Sequence, residues 1–211
     1  MNSFSLQFFQ HMQEYVIQIP VFLLSIILHE IAHGYTANQL GDPTARDAGR
    51  LTMNPLKHID PLGALAFFII RIGWAKPVPV NPLNFRNPGW DMVKVAVAGP
   101  AMNVGLAVLS ALLFKTLPFL HFLPYSILNP LAAALSFSVA INILLAVFNC
   151  LPIPPLDGSR VLIYFLPAAA ARSYARFERY SLLLILALSY TGILWGIIGP
   201  ITHFGINFLM R

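Results

Sequence analysis

The sequence predicts an all-α polytopic membrane protein, and three observations carry that prediction. Hydrophobic residues fill 57% of the 211 positions and charged residues only 10%, a balance unlike that of soluble globular domains. Four apolar segments, at about residues 15–37, 92–117, 129–149 and 180–208, are each long enough to cross a hydrocarbon core of roughly 30 Å as a helix. The basic residues crowd into two of the connections between those segments. No soluble domain is expected: residues 1–211 read as one membrane-embedded domain, with a core at about 15–165 and a C-terminal helical segment at about 178–211.

The N-terminal stretch MNSFSLQFFQHMQEY has no Lys or Arg and reads as an interfacial lead-in, not a cleaved signal peptide. The first span follows, and inside it stands Leu28-His29-Glu30-Ile31-Ala32-His33. Residues i and i+4 share a helix face, so His29 and His33 point together and can ligate one Zn²⁺. Glu30 then stands beside the metal, where a carboxylate can take a proton from a water acidified by zinc. An H-E-x-x-H pattern also arises by chance on helices. Each ionisable group at membrane depth costs at least ~2.5 kcal/mol on insertion scales, however, so three in five positions call for a function.

The connection at residues 41–91 is rich in Pro, Asn and Gly. Residues 62–72 are apolar but too short to span comfortably, and read as a re-entrant or interfacial element. Lys76-Pro77-Val78-Pro79-Val80-Asn81-Pro82 cannot be helical, because its prolines lack donors and push the residues before them toward extended geometry. It is expected to be an extended rim, either a rigid connector or an edge that aligns a substrate backbone through Val78 and Val80.

The second span carries Gly99-Pro100-Ala101-Met102-Asn103. Its small residues let a neighbouring helix approach, and a buried Asn needs partners. Ser136, Ser138 and Asn142 in the third span read as packing glue, and Cys150, the single cysteine, as a buried apolar thiol. The span ends in Asn149-Cys150-Leu151-Pro152-Ile153-Pro154-Pro155-Leu156-Asp157-Gly158, where three prolines in four positions stop the helix. Gly199-Pro200 should kink or divide the last apolar segment.

A catalytic zinc site takes three protein ligands and leaves one position open, so two histidines leave a ligand missing. Asp157 is the natural candidate, although Asp before Gly also serves as a turn former or N-cap. His58, His121 and His203 are weaker candidates. For orientation, Arg46, Arg50, Lys57, Arg71, Lys76, Arg86 and Lys94 lie between the first two spans, and Arg160, Arg172, Arg176 and Arg179 between the last two. That leaves only Lys115 and Arg211 of the thirteen basic residues on the other side. The positive-inside rule then puts both long connections in the cytoplasm, both termini outside, and His29 and His33 toward the cytoplasmic end of the first span. The net charge of +5 and pI near 9.6 are accounted for by this topology, without a nucleic-acid partner.

HEIAH in the first span, GPAMN in the second and NCLPIPPLDG after the third together resemble the site-2 protease family of intramembrane zinc metalloproteases, in its compact prokaryotic form without PDZ or CBS domains. The resemblance implies a three-helix catalytic core in which His29, His33 and Asp157 bind one Zn²⁺ and Glu30 is the base. The expected function is endopeptidase cleavage of transmembrane segments of other proteins near the cytoplasmic face of the cell membrane. Transmembrane proteins and the lipid bilayer are then its partners. Asn103 and Asn149 are expected to hold the unwound substrate backbone or the oxyanion. Two other classes use similar residues: a membrane zinc transporter, and a catalytically silent membrane scaffold.

Overall fold

The structure, a computed structural model, describes residues 3–60, 63 and 76–211, with side chains from Glu14 onward. Its helices run in order as α1 (Ser3–Gln39), α2 (Thr44–Asp47), α3 (Pro88–Thr116), α4 (Tyr125–Asn149), α5 (Asp157–Phe165), α6 (Ala168–Tyr190) and α7 (Ile193–Met210). No strand forms among the described residues. Four helical stretches are long and apolar enough to cross a membrane: Glu14–Gln39, Pro88–Leu120, Tyr125–Asn149 and Ile193–Met210. Their outer faces expose large apolar side chains such as Leu109, Leu112, Leu113, Phe204 and Phe208, as a hydrocarbon solvent permits.

Local chemistry sets the helix boundaries. Asn87 caps α3, accepting from the Trp90 N–H at 3.3 Å, with Pro88 at the first helical position, where its missing donor costs nothing. Helix α4 stops at the proline-rich turn, which includes a cis Pro154–Pro155 bond, and α5 starts at Asp157. The last apolar segment is divided, but at Gly192 and not at Gly199–Pro200. Gly192 has φ +76°, and its N–H returns to the Ser189 carbonyl at 3.1 Å, which ends α6 with a left-handed glycine. Pro200 lies inside α7.

Helices α1, α3 and α4 pack against one another, and α7 packs mainly on α4. On α1 the buried residues Ser25, His29, His33 and Ala37 recur every four positions, forming one stripe. The facing stripe of α3 is built from Ala96, Gly99, Asn103, Ala107 and Ala111, residues small enough for close approach. Helix α4 closes the core with Val139, Asn142, Ile143 and Ala146. Cys150 is exposed, contrary to the buried thiol expected, because it caps the end of α4 where the chain leaves the bundle.

Residues 76–81 are non-helical until a short 3-10 turn at Pro82–Asn84, as the prolines require. Three points tie this segment down. The Lys76 N–H donates to the His58 carbonyl at 2.8 Å, the buried Arg50 donates to the Lys76 carbonyl at 2.7 Å, and the Asn81 N–H donates to Asp42 at 2.7 Å. The re-entrant element expected at 62–72 falls, apart from Gly63, outside the described residues.

Candidate active site

The stripe on α1 carries His29 and His33, which are 7% and 8% exposed, into the centre of the three-helix core. Their Nε2 atoms stand 3.0 Å apart. Asp157 completes the group, with Oδ2 at 3.2 Å from Nε2 of His29 and Oδ1 at 3.3 Å from Nε2 of His33. The competing reading of Asp157 as a helix cap does not describe this structure: Leu156 occupies the cap position, without a side-chain cap bond. Instead the Asp157 carboxylate turns inward from the first residue of α5.

Two glycines make this convergence possible. A Cβ on Gly99 would collide with the His33 ring and lie 2.6 Å from Cε1 of His29, so α3 can face the imidazoles only where no side chain intervenes. A Cβ on Gly158 would run into the Cys150 carbonyl and lie 2.6 Å from the Leu151 carbonyl oxygen. The Asp-Gly pair thus lets the turn fold back on the end of α4 and deliver Asp157 to the histidines.

The hydrogen bonds behind the rings decide what the front can do. Nδ1 of His33 lies 2.7 Å from the Val95 carbonyl, which can only accept, so that nitrogen carries a proton. Nδ1 of His29 lies 2.5 Å from Oδ1 of Asn103. The Nε2 lone pairs are therefore free to point at each other and at the carboxylate. Three acceptors converging at such distances repel unless they share a cation. In addition, Oδ2 of Asp157 is buried with no hydrogen-bond partner among the described residues. Ligands about 2.0–2.1 Å from a tetrahedral Zn²⁺ stand roughly 3.3–3.4 Å from one another, close to the spacing of this cluster. Among the described residues, His29, His33 and Asp157 are the group whose donor atoms could hold a metal. The exposed His121 and His203 are not in that group, and His58 is occupied elsewhere, with Nε2 at 2.8 Å from the Thr52 carbonyl.

The cluster opens into a cavity of about 630 Å³ that Glu30, Val78, Val80 and Asn149 also line, a volume usual for binding sites. Glu30 Oε2 accepts the Val78 N–H at 2.8 Å, so the extended segment touches the carboxylate directly. Asn149 donates one Nδ2 hydrogen to the Leu145 carbonyl at 2.9 Å, which leaves the other. Asn103 is fully buried and not among the lining residues: it stands behind His29, against Nδ1. Arg160 and Glu178 add opposite charges to the lining. Sequence reasoning did not single out either one, because nothing local links α5 and α6 to the first span.

A family model described as peptidase family M50 matches residues 125–191. Over 193 residues the chain is 34% identical to "Putative zinc metalloprotease YwhC" of Bacillus subtilis (strain 168), covering 90% of this chain and 87% of that one. It is 30% identical over 184 residues to Rip2 of Mycolicibacterium smegmatis, which carries the same description, covering 84% and 68% of the two chains. A stretch of 69 residues is 45% identical to the similarly described MJ0611 of Methanocaldococcus jannaschii, covering 33% and 32%. No solved structure matches. A likeness to YwhC that runs through nine-tenths of the chain places it in peptidase family M50, the site-2 proteases, as a membrane zinc metalloprotease.

Proposed function

We propose that this metalloprotease is an intramembrane endopeptidase that cuts a transmembrane segment of another protein near the cytoplasmic face of the cell membrane. The observation that carries the proposal is the cavity shared by the three-donor cluster, the Glu30 carboxylate and the extended segment at Val78 and Val80. His29, His33 and Asp157 are the residues that would hold the zinc. When bound, Zn²⁺ supplies Lewis-acid polarisation of a carbonyl and makes water more acidic.

The remaining steps belong to the chain's own groups. With Oε2 of Glu30 engaged by the Val78 N–H, Oε1 is the atom that takes a proton from water and returns it to the leaving amine. The second Nδ2 hydrogen of Asn149 is available to the carbonyl oxygen on which negative charge develops. A substrate helix keeps its amides satisfied internally, so it must unwind before a carbonyl reaches this site. The extended rim offers that unwound backbone a main-chain edge, and the Val80 N–H has no protein partner among the described residues. Orientation follows the basic connections, which favour the cytoplasmic side.

The test is Glu30→Gln in the purified full chain, assayed on a single-span membrane protein in detergent. Gln keeps the shape and loses the base, so zinc content should match wild type while cleavage falls by about 10²-fold or more. Wild-type cleavage by Glu30→Gln would overturn the proposal.

A further inference from the structure

Behind His29 runs a line of buried polar groups that the mechanism above does not use. Ser25, Asn103 and Asn142 are 2%, 0% and 0% exposed, at positions in α1, α3 and α4 that no solvent reaches. Asn103 Nδ2 donates to Oδ1 of Asn142 at 2.8 Å. Nδ2 of Asn142 donates in turn to the Ser138 carbonyl at 2.9 Å and to Oγ of Ser25 at 2.9 Å.

This line has a direction, and its far end sets it. The Ser138 carbonyl can only accept, so the Asn142 amide must present its nitrogen there and its oxygen to Asn103. Asn103 must then present its own nitrogen to Asn142, with the Ser25 carbonyl a longer second acceptor at 3.4 Å, and its oxygen to His29. An acceptor at 2.5 Å from Nδ1 of His29 requires the proton on Nδ1, which leaves Nε2 as the lone-pair nitrogen facing Asp157 and His33. Turning either amide over would set like against like in a place where water cannot relieve it. His33 needs no such relay, because a backbone carbonyl fixes it directly.

We propose that Asn142, on a helix that supplies none of the three donors, is a positioning residue that fixes the ring tautomer of His29 through Asn103. The inference rests on the zinc reading of the site and adds a third helix to the machinery that prepares it. Partners behind metal-ligating histidines typically change metal affinity or activity about 10–100-fold when removed.

The experiment compares Asn142→Thr with Asn142→Val in the zinc-loaded full chain in detergent. The two side chains share a shape, but only Thr keeps a hydroxyl, which donates to the Ser138 carbonyl and leaves its lone pairs on the side of Asn103. Zinc retention against a competing chelator should stay within about threefold of wild type in Thr and fall about 10–100-fold in Val. Equal retention in the two variants overturns the inference. Should the Val variant not fold, ¹⁵N-histidine spectra of the wild-type chain decide instead. A proton on Nδ1 of His29 supports the relay, and an unprotonated or metal-bound Nδ1 overturns it. A wild-type chain that takes up no zinc would sink the metal reading itself. A zinc-binding chain in which Thr and Val behave alike sinks only the relay.

Discussion

Gly99→Ala puts a single methyl group where the structure has least room for one. Ordinary contact begins near 3.4 Å, and the new carbon would stand 2.6 Å from Cε1 of His29, a deficit of about 0.8 Å, and closer still to the His33 ring, where the deficit is larger. Metal sites tolerate ligand displacements of only about 0.2 Å. Either α3 withdraws, stretching the bonds from Asn103 and Val95 that orient the rings, or the rings rotate and the donors separate. Overpacking of this kind costs about 1–3 kcal/mol, and if the strain falls on the site it weakens zinc retention by roughly 5- to 150-fold. The assay is zinc per purified protein across a chelator series, with Gly105→Ala as the control. Gly105 lies on the same helix with nothing within 4 Å of an added Cβ, and Ala there should be neutral or stabilising by up to ~1 kcal/mol. Full zinc retention in Gly99→Ala, or equal loss in both variants, would refute the reasoning.

Asp157→Ala, His29→Ala and His33→Ala should each lose zinc and cleavage together, with Asp157→Asn intermediate, whereas His58→Ala should keep its zinc; the reverse pattern, read by metal analysis, would move the third ligand to the first connection. Asp42 gives a pH prediction. Burial pushes its carboxyl up, but hydrogen bonds from Thr44, Asn84 and Asn81 more than offset this and hold it below the usual range. A depressed carboxyl stabilises the fold fully above its unfolded pKa of about 3.9 and loses that contribution as pH falls through the folded value. Asp42→Asn should therefore lower thermal stability at neutral pH and flatten the acid limb of a stability profile, and an acid limb as steep as wild type would count against the assignment.

The sequence made the site legible where chemistry and spacing coincide. The i, i+4 histidines inside an apolar span, the acid beside them and the missing third ligand all pointed to a cluster that the structure assembles at 3.0–3.3 Å. It was silent where a role depends on which helix face meets which. Asn103 looked like a substrate contact because it is polar and one turn from Gly99, but that same stripe faces α1, and the residue it meets is His29. Asn142 looked like packing glue, because nothing in one chain reveals that it sits across from Asn103. The break in the last apolar segment was misplaced for a different reason. Proline is tolerated inside membrane helices, so Pro200 sits within α7, while the left-handed Gly192 ends α6. The Val78–Glu30 contact joins residues 48 positions apart and has no local signature at all.

On the proposed reading of the site, that contact separates two duties of the segment. The Val78 N–H binds Glu30, whereas the Val80 N–H is unpartnered among the described residues and lines the same cavity. Proline removes an amide proton while keeping the non-helical backbone that its neighbouring prolines already favour. Val78→Pro therefore takes from Glu30 a hydrogen bond to a charged group, worth about 1.5–3 kcal/mol, and its effect should appear as a fall in kcat of roughly tenfold or more. Val80→Pro leaves Glu30 untouched and removes only a bond offered to an unwound substrate, so its effect should appear as a rise in KM with kcat nearly unchanged. Zinc content should equal wild type in both, since neither residue touches the donors. If Val80→Pro cleaves a membrane substrate with wild-type constants, the segment is a connector and aligns nothing. If Val78→Pro keeps its kcat, Glu30 is placed by its own helix alone, and the amide is incidental.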